Sequence, residues 1–379
     1  MAGTDWRLDE SPFHRRADVV ISEQVRKKVD CTVSRSLSTE FEARGLLLSH
    51  AAYASAMTEA VRSGERLLQR VLEICYANGR EGVMDVEFDD DQAAMRIGLG
   101  LAFGSVTASL FASPRQTSHE QAAAIEVSCA AFNLGAGLID GLCDGTPALG
   151  LELLRIFQAL DWAGATRDPW PTGRLQSALP APLAADPTAA FTARIIETFL
   201  VTLHAGYPGD EGAAVRDRVG ALSEEALEAE RRTVQHSPEF ATRDQLIACS
   251  RRTSVMPFQI IEQLATGAHA IASPTAGTLL GEAMWRIDDL VDLAQDAGDG
   301  ALNSVLLAAT SKPWSANARD GVAALEEVTT SDVIALTAVE AAERLEAGLA
   351  AASDGKADNK ACRLFLAFVH RYAELAPIG

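Results

Sequence analysis

Apolar positions recur at three- and four-residue intervals along most of this chain, with Ala, Glu and Arg filling the positions between them. A period near 3.6 marks helices that bury one face. Alternating Val, Ile and Thr runs bounded by hairpin turns, which would predict strands, are nearly absent. The pattern predicts an all-α protein. Gly, Pro and polar clusters divide it into helices over 41–62, 64–78, 90–112, 118–142, 147–161, 189–204, 211–235, 243–267, 274–296, 301–310, 317–350 and 359–375.

Two stretches depart from the pattern. Residues 1–40 read as an N-terminal arm, polar and irregular at first and turning helical from Ser22, ahead of one helical domain over 41–379. Between Gly164 and Pro187 the prolines at 169, 171, 180, 182 and 187 forbid a continuous helix, so a long connection or lid is expected. The chain shows no internal repeat.

Composition narrows the class. With 379 residues, 48% of them apolar and 22% charged, the chain can bury a large core. A formal charge of -19, with no basic run beyond Arg26-Lys27-Lys28, argues against nucleic acid or anionic membrane as the main partner. Any phosphate-bearing ligand would need cations to reach so acidic a protein. No uninterrupted apolar stretch reaches the roughly 18 residues of a membrane span. The six cysteines form no CxxC pair or regular framework and read as reduced thiols, and a cytoplasmic location is expected.

The candidate chemistry lies in two sets of carboxylates. In WRIDDLVDLAQDAGD, Asp288, Asp292 and Asp296 stand at i, i+4 and i+8, which places them on one face of one helix. Like charges so stacked repel one another, while Leu290, Val291, Leu293 and Ala294 keep the acidic stripe narrow. The second set, Asp140 and Asp144, follows a long apolar helical stretch with no charge over 127–139. Carboxylates there also oppose the helix dipole. A divalent cation resolves both conflicts. All these ligands are hard oxygens with no Cys/His cluster beside them, so Mg²⁺ fits better than Zn²⁺. Mg²⁺ held by a few carboxylates, waters and substrate phosphates describes a diphosphate-binding mouth.

The two segments resemble the aspartate-rich motifs of trans-prenyltransferases and class I terpene synthases. Asp288-Asp289-Leu290-Val291-Asp292 matches the second DDxxD motif in full, and Asp296 completes the metal-ligand spacing of the terpene synthases. Leu138-Ile139-Asp140-Gly141-Leu142-Cys143-Asp144 resembles the first motif, with Gly141 replacing its second aspartate. Arg252-Thr253 is similar to the Lys-Thr pair that reaches the diphosphate, and Arg371-Tyr372 to the terminal Arg-Tyr pair of microbial terpene synthases. The likeness covers residues 45–375 and implies a single large helical bundle of the isoprenoid-synthase type around a central active-site cavity.

The departures from the family bear on activity. Elongating members bind isopentenyl diphosphate with a Gly-Lys-Arg stretch, where this chain has Gly64-Glu65-Arg66. They also carry Arg-Arg-Gly after the first motif, where Gly145-Thr146-Pro147-Ala148-Leu149-Gly150 has no arginine. Trp285 replaces their Gln before the second motif. Loss of these cations would cripple binding of a second diphosphate. The resemblance therefore implies a cyclase acting on one prenyl diphosphate, with chain elongation or a non-catalytic, partner-binding relative as alternatives.

On this reading Asp140, Asp144, Asp288, Asp292 and Asp296 hold Mg²⁺. Arg252 and Arg371 act on the leaving diphosphate, which Tyr372 also contacts. Arg251 or Arg243 are alternatives to Arg252, since helix register is not fixed by sequence. Trp285 and Phe258 are candidates for the apolar wall around a carbocation, or plain core. Gly135 and Ala136, just before the first motif, are small enough for a deep pocket and equally for close helix packing. His236, His269 and His370 have no partners at catalytic spacing. The family also allows a homodimer.

Overall fold

The structure, a computed structural model, describes residues 21–76, 91–111, 117–234, 243–267, 275–309, 318–352 and 360–378. The first half of the predicted arm, His236 and His269 lie outside them. In chain order the helices are α1 (Glu23–Ala43), α2 (His50–Tyr76), α3 (Asp91–Phe111), α4 (His119–Gly145), α5 (Pro147–Gln158), α6 (Trp162–Arg167), α7 (Arg174–Ala178), α8 (Ala181–Ala185) and α9 (Pro187–Gly206). They continue as α10 (Ala213–Val234), α11 (Arg243–Thr266), α12 (Ala276–Val291), α13 (Leu293–Asp299), α14 (Ser304–Ala309), α15 (Ala318–Val328), α16 (Val333–Ala352) and α17 (Lys360–Tyr372). Among the described residues there is no β-strand, only an isolated bridge between Ser49 and Ile378. The protein is all-α.

The chain forms two compact units. The first comprises the described residues of Thr58–Leu227 and Ile260–Ala270. Its centre is α4, packed between α3 and α9. α4 begins with a capping box in which Ser118 and Gln121 satisfy each other's backbone amides. It then buries Val127, Cys129, Ala130, Ala131, Phe132 and Leu134. Residues 93–111 and 119–145 are apolar and long enough to cross a membrane, yet more than half of each such stretch is buried in the protein. Their hydrophobicity serves the core.

The helix break expected at residue 63 does not occur, and Gly64 lies inside the continuous α2. A Cβ there would stand 2.4 Å from the carbonyl oxygen of Gly98, so glycine is required for α2 to approach α3. The requirement is one of space, and it overrides the modest cost of glycine in a helix.

The Pro-rich segment lies wholly within this first unit and is sewn to α9. It breaks into α6, α7 and α8, each ended before a proline or a turn can disrupt it. The carboxylate of Glu197, on α9 and 5% exposed, accepts hydrogen bonds from Trp170 Nε1 (3.3 Å), the Gly173 amide (3.3 Å) and the Leu175 amide (2.6 Å). The Arg174 guanidinium stacks 4.7 Å over the Trp170 ring.

The second unit holds the described residues of Arg16–Met57, Glu228–Gln259 and Ile271–Gly379. The later part of the predicted arm is built into it: Ser22 caps α1, which buries Val29, Val33, Leu37 and Phe41 and packs on α16. Arg44 then reaches Glu343 and Glu346 on α16 at 3.0 and 2.9 Å. α16 packs along α12, so that a Cβ at Gly348 would meet Leu280. The predicted helix over 317–350 is divided into α15 and α16 by the turn at 329–332. All six cysteines are free thiols, and four of them are buried.

Candidate functional site

The second acidic motif spans a break in the helix. α12 ends at Val291, and Asp292, with φ −93° and ψ 7°, is at once the C-cap of α12 and the N-cap of α13. The three carboxylates therefore do not share one straight helix, as the spacing predicts. The break is slight. The Asp292 amide still donates to the Asp288 carbonyl (2.9 Å), and the Asp296 amide to the Asp292 carbonyl (2.8 Å).

Each carboxylate of the motif has its own surroundings. Asp288 is exposed to water, and Asp292 and Asp296 are half-buried. The hydroxyl of Tyr372, at the end of α17, donates to Asp288 Oδ1 and lies 3.5 Å from Asp292 Oδ2. Crowding by protein pushes the Asp288 carboxyl above the ordinary range, and the Tyr372 hydroxyl opposes that rise. Asp288 still touches water, which limits the rise. Asp296 is held well above the ordinary range by desolvation and then by the neighbouring Asp292 charge, against a 2.8 Å hydrogen bond from Asn303 Nδ2.

Asp289 belongs to a different class. It is 4% exposed and accepts from the Ser304 amide (3.1 Å) and the Ser304 hydroxyl. Burial pushes its carboxyl up to about 8. Its backbone carbonyl accepts from Asn303 Nδ2 at 2.7 Å. Asn303, fully buried, also caps the start of α14 by accepting from the amides of Val305 (2.9 Å) and Leu306 (3.3 Å). One asparagine thus fixes α12, α13 and α14 together and aims Asp296. Sequence reasoning passed over Asn303 and Ser304; the signal for them is an Asn-Ser pair at a helix start after a glycine.

Behind the motif, buried Glu282 on α12 binds Arg251 of α11 and, at 3.1 Å, Arg344 of α16. Arg251 is therefore engaged in an ion pair, and both it and the adjacent Arg252 are exposed on α11. Arg243 opens α11. Arg371 lies half-buried in the last turn of α17, next to Tyr372. Trp285 is buried, donates to Ser250 Oγ (3.1 Å) and carries the Arg286 guanidinium 5.0 Å over its ring. Phe258 is buried edge-on to Phe365 at 6.3 Å between ring centroids.

In the first unit, Asp140 and Asp144 are exposed on the last two turns of α4. α4 continues to Gly145, so neither carboxylate lies beyond the helix end. A Cβ at Gly141 or at Gly137 would meet no atom within 4 Å, which leaves this end of α4 open. Gly135 is different. A Cβ there would stand 2.7 Å from Ile196 Cδ1, so this glycine is spent on the packing of α4 against α9, while Ala136 is half-buried beside it. Arg66, in the segment that departs from the elongating enzymes, pairs with Glu126 at 2.8 Å.

The donors of the second motif are carboxylate oxygens on successive turns, with a tyrosine hydroxyl beside two of them. That chemistry fits a hard cation such as Mg²⁺. Among the described residues, no three His, Cys, Asp or Glu side chains are drawn together as a bound ion would hold them. No known protein family matches the chain, and no curated protein or solved structure is significantly similar to it.

Proposed function

We propose that this protein is a Mg²⁺-dependent class I terpene synthase of the isoprenoid-synthase type, acting as a cyclase on a linear prenyl diphosphate. A substrate of ~20 carbons or more, which small residues at 135 and 136 would favour, loses the support of Gly135, because that glycine packs against Ile196. The observation that carries this reading is the meeting of Tyr372 with Asp288 and Asp292. Tyr372 stands 84 and 80 residues from these two aspartates in sequence, and the resemblance assigns both segments to one diphosphate site.

On this reading Asp288, Asp292 and Asp296 hold Mg²⁺ at the second motif, and Asp140 and Asp144 serve the same role at the first. The cation supplies charge that stabilises a departing diphosphate. Arg371 and Arg252 add guanidinium charge at the leaving group. Asp289 takes no part in ligation, because it is 4% exposed and turned inward to Ser304. The Asn303 amide holds Asp296 in place as an outer partner of the site.

The test is incubation of the purified protein with Mg²⁺ and prenyl diphosphates of graded length, with and without isopentenyl diphosphate. Hydrocarbon or alcohol products and inorganic diphosphate are expected without isopentenyl diphosphate. Elongated diphosphates, or no product under any condition, would refute the proposal. Asp292→Ala and Asp144→Ala are each expected to lower turnover severely while the helical circular dichroism is kept. Activity near wild type in both would remove the metal assignment.

A further inference from the structure

We infer that Tyr372 is a positioning residue for the cation, acting through the carboxylates of Asp288 and Asp292 before any diphosphate is bound. The inference rests on the cation reading of the second motif given above, and it departs from a role in which Tyr372 contacts only the diphosphate. Its basis is the placement of one hydroxyl against two carboxylates a turn apart. The hydroxyl donates to Asp288 Oδ1 and stands 3.5 Å from Asp292 Oδ2, across the break between α12 and α13.

Asp288 lies on the last turn of α12, and Asp292 is the joint itself. An exposed aspartate side chain has several rotamers, and two adjacent negative charges favour those that separate them. A neutral donor between the two offsets part of that repulsion. It also restricts Asp288 to the orientation that leaves Oδ2 free. A carboxylate has lone pairs for a hydrogen bond and a metal ion at once, so the Tyr372 contact does not block ligation. Asp296 is oriented in the same way, by the Asn303 amide. The motif thus has an outer partner at each end, Tyr372 for Asp288 and Asn303 for Asp296.

Tyr372 is itself well anchored. It terminates α17, whose Phe365, Ala367 and Val369 are fully buried. Beyond it the chain turns back: the Leu375 amide donates to the His370 carbonyl (2.9 Å), and Ile378 pairs with Leu48 and His50. The phenol is therefore presented by a fixed helix end, as positioning of a metal ligand requires.

The experiment is a titration of the full-length protein with Mn²⁺, as a Mg²⁺ surrogate, by calorimetry and electron paramagnetic resonance. Wild type, Tyr372→Phe, Asp288→Asn and the double variant are compared, with and without inorganic diphosphate. Removal of an outer partner typically weakens metal binding by about 10–100-fold, and a loss of that size is expected for Tyr372→Phe without diphosphate. Adding Tyr372→Phe to Asp288→Asn should cost less than Tyr372→Phe costs in the wild type, with the remainder acting through Asp292. The melting temperature in chelator reports on the fold and should stay near wild type. Unchanged or tighter Mn²⁺ binding by Tyr372→Phe would overturn the inference, as would a loss seen only with diphosphate or an additive loss in the double variant. Failure of the wild type to bind Mn²⁺ in either condition would overturn the cation reading itself.

Discussion

Glu197 offers a sharp test of how the Pro-rich segment is held. Its carboxylate is 5% exposed and receives three hydrogen bonds from the segment: Trp170 Nε1 and the Leu175 amide on Oε1, and the Gly173 amide on Oε2. Hydrogen bonds to a charged acceptor contribute roughly 1.5–3 kcal/mol each, and the two at 3.3 Å belong at the lower end of that range. Glu197→Ala should therefore cost about 4.5–6 kcal/mol, less whatever water recovers for the released amides. Glu197→Gln should cost about 2 kcal/mol, because its amide oxygen can keep Trp170 and Leu175 while its NH₂ faces the Gly173 donor. Urea unfolding followed by circular dichroism measures the ordering, and hydrogen exchange locates it, with protection lost first at the amides of Gly173 and Leu175. If Glu197→Ala unfolds at the wild-type urea concentration, or exchange at those two amides is unchanged, the segment is held by something other than this carboxylate.

Three further outcomes are expected. Asp289→Asn should keep both the fold and the Mn²⁺ affinity, because its oxygen can still accept from Ser304, whereas Asp292→Asn should weaken Mn²⁺ binding in the same calorimetric titration. Burial holds the His370 ring below its ordinary value, with the Leu46 carbonyl opposing, so the folded protein resists taking up a proton that the unfolded chain accepts. Stability should accordingly be full above the ordinary histidine value of 6.5, and should fall as pH drops below it towards the lowered folded value. Thermal unfolding at pH 8 and pH 5.5 should show that slope, and His370→Gln should reduce it. Gly141→Ala should stabilise α4 by about 0.5–1 kcal/mol, since the added Cβ meets open space and glycine is costly inside a helix. A lower urea midpoint for that variant would mean that something must approach α4 at this position.

The sequence by itself determined the helical class and most of the helix positions, because burial of one face imposes a period that survives any arrangement of the helices. It also singled out Asp288, Asp292 and Asp296, whose repulsive spacing is visible without coordinates. Only the tertiary structure decided how glycines and polar residues are used. Gly64 reads as an ordinary helix position until Gly98 is seen against it, and Gly135 suits a deep pocket or close packing equally until Ile196 is seen against it. Spacing sets Asp289 off the face that carries Asp288, yet only its partners show that one is turned inward to Ser304 and the other outward to Tyr372. These distinctions depend on partners distant in the chain, which local pattern does not encode. The joint at Asp292 has the same origin: the i, i+4 spacing fixes which residues neighbour one another, while the packing of α13 and α14 around Asn303 sets where the helix breaks.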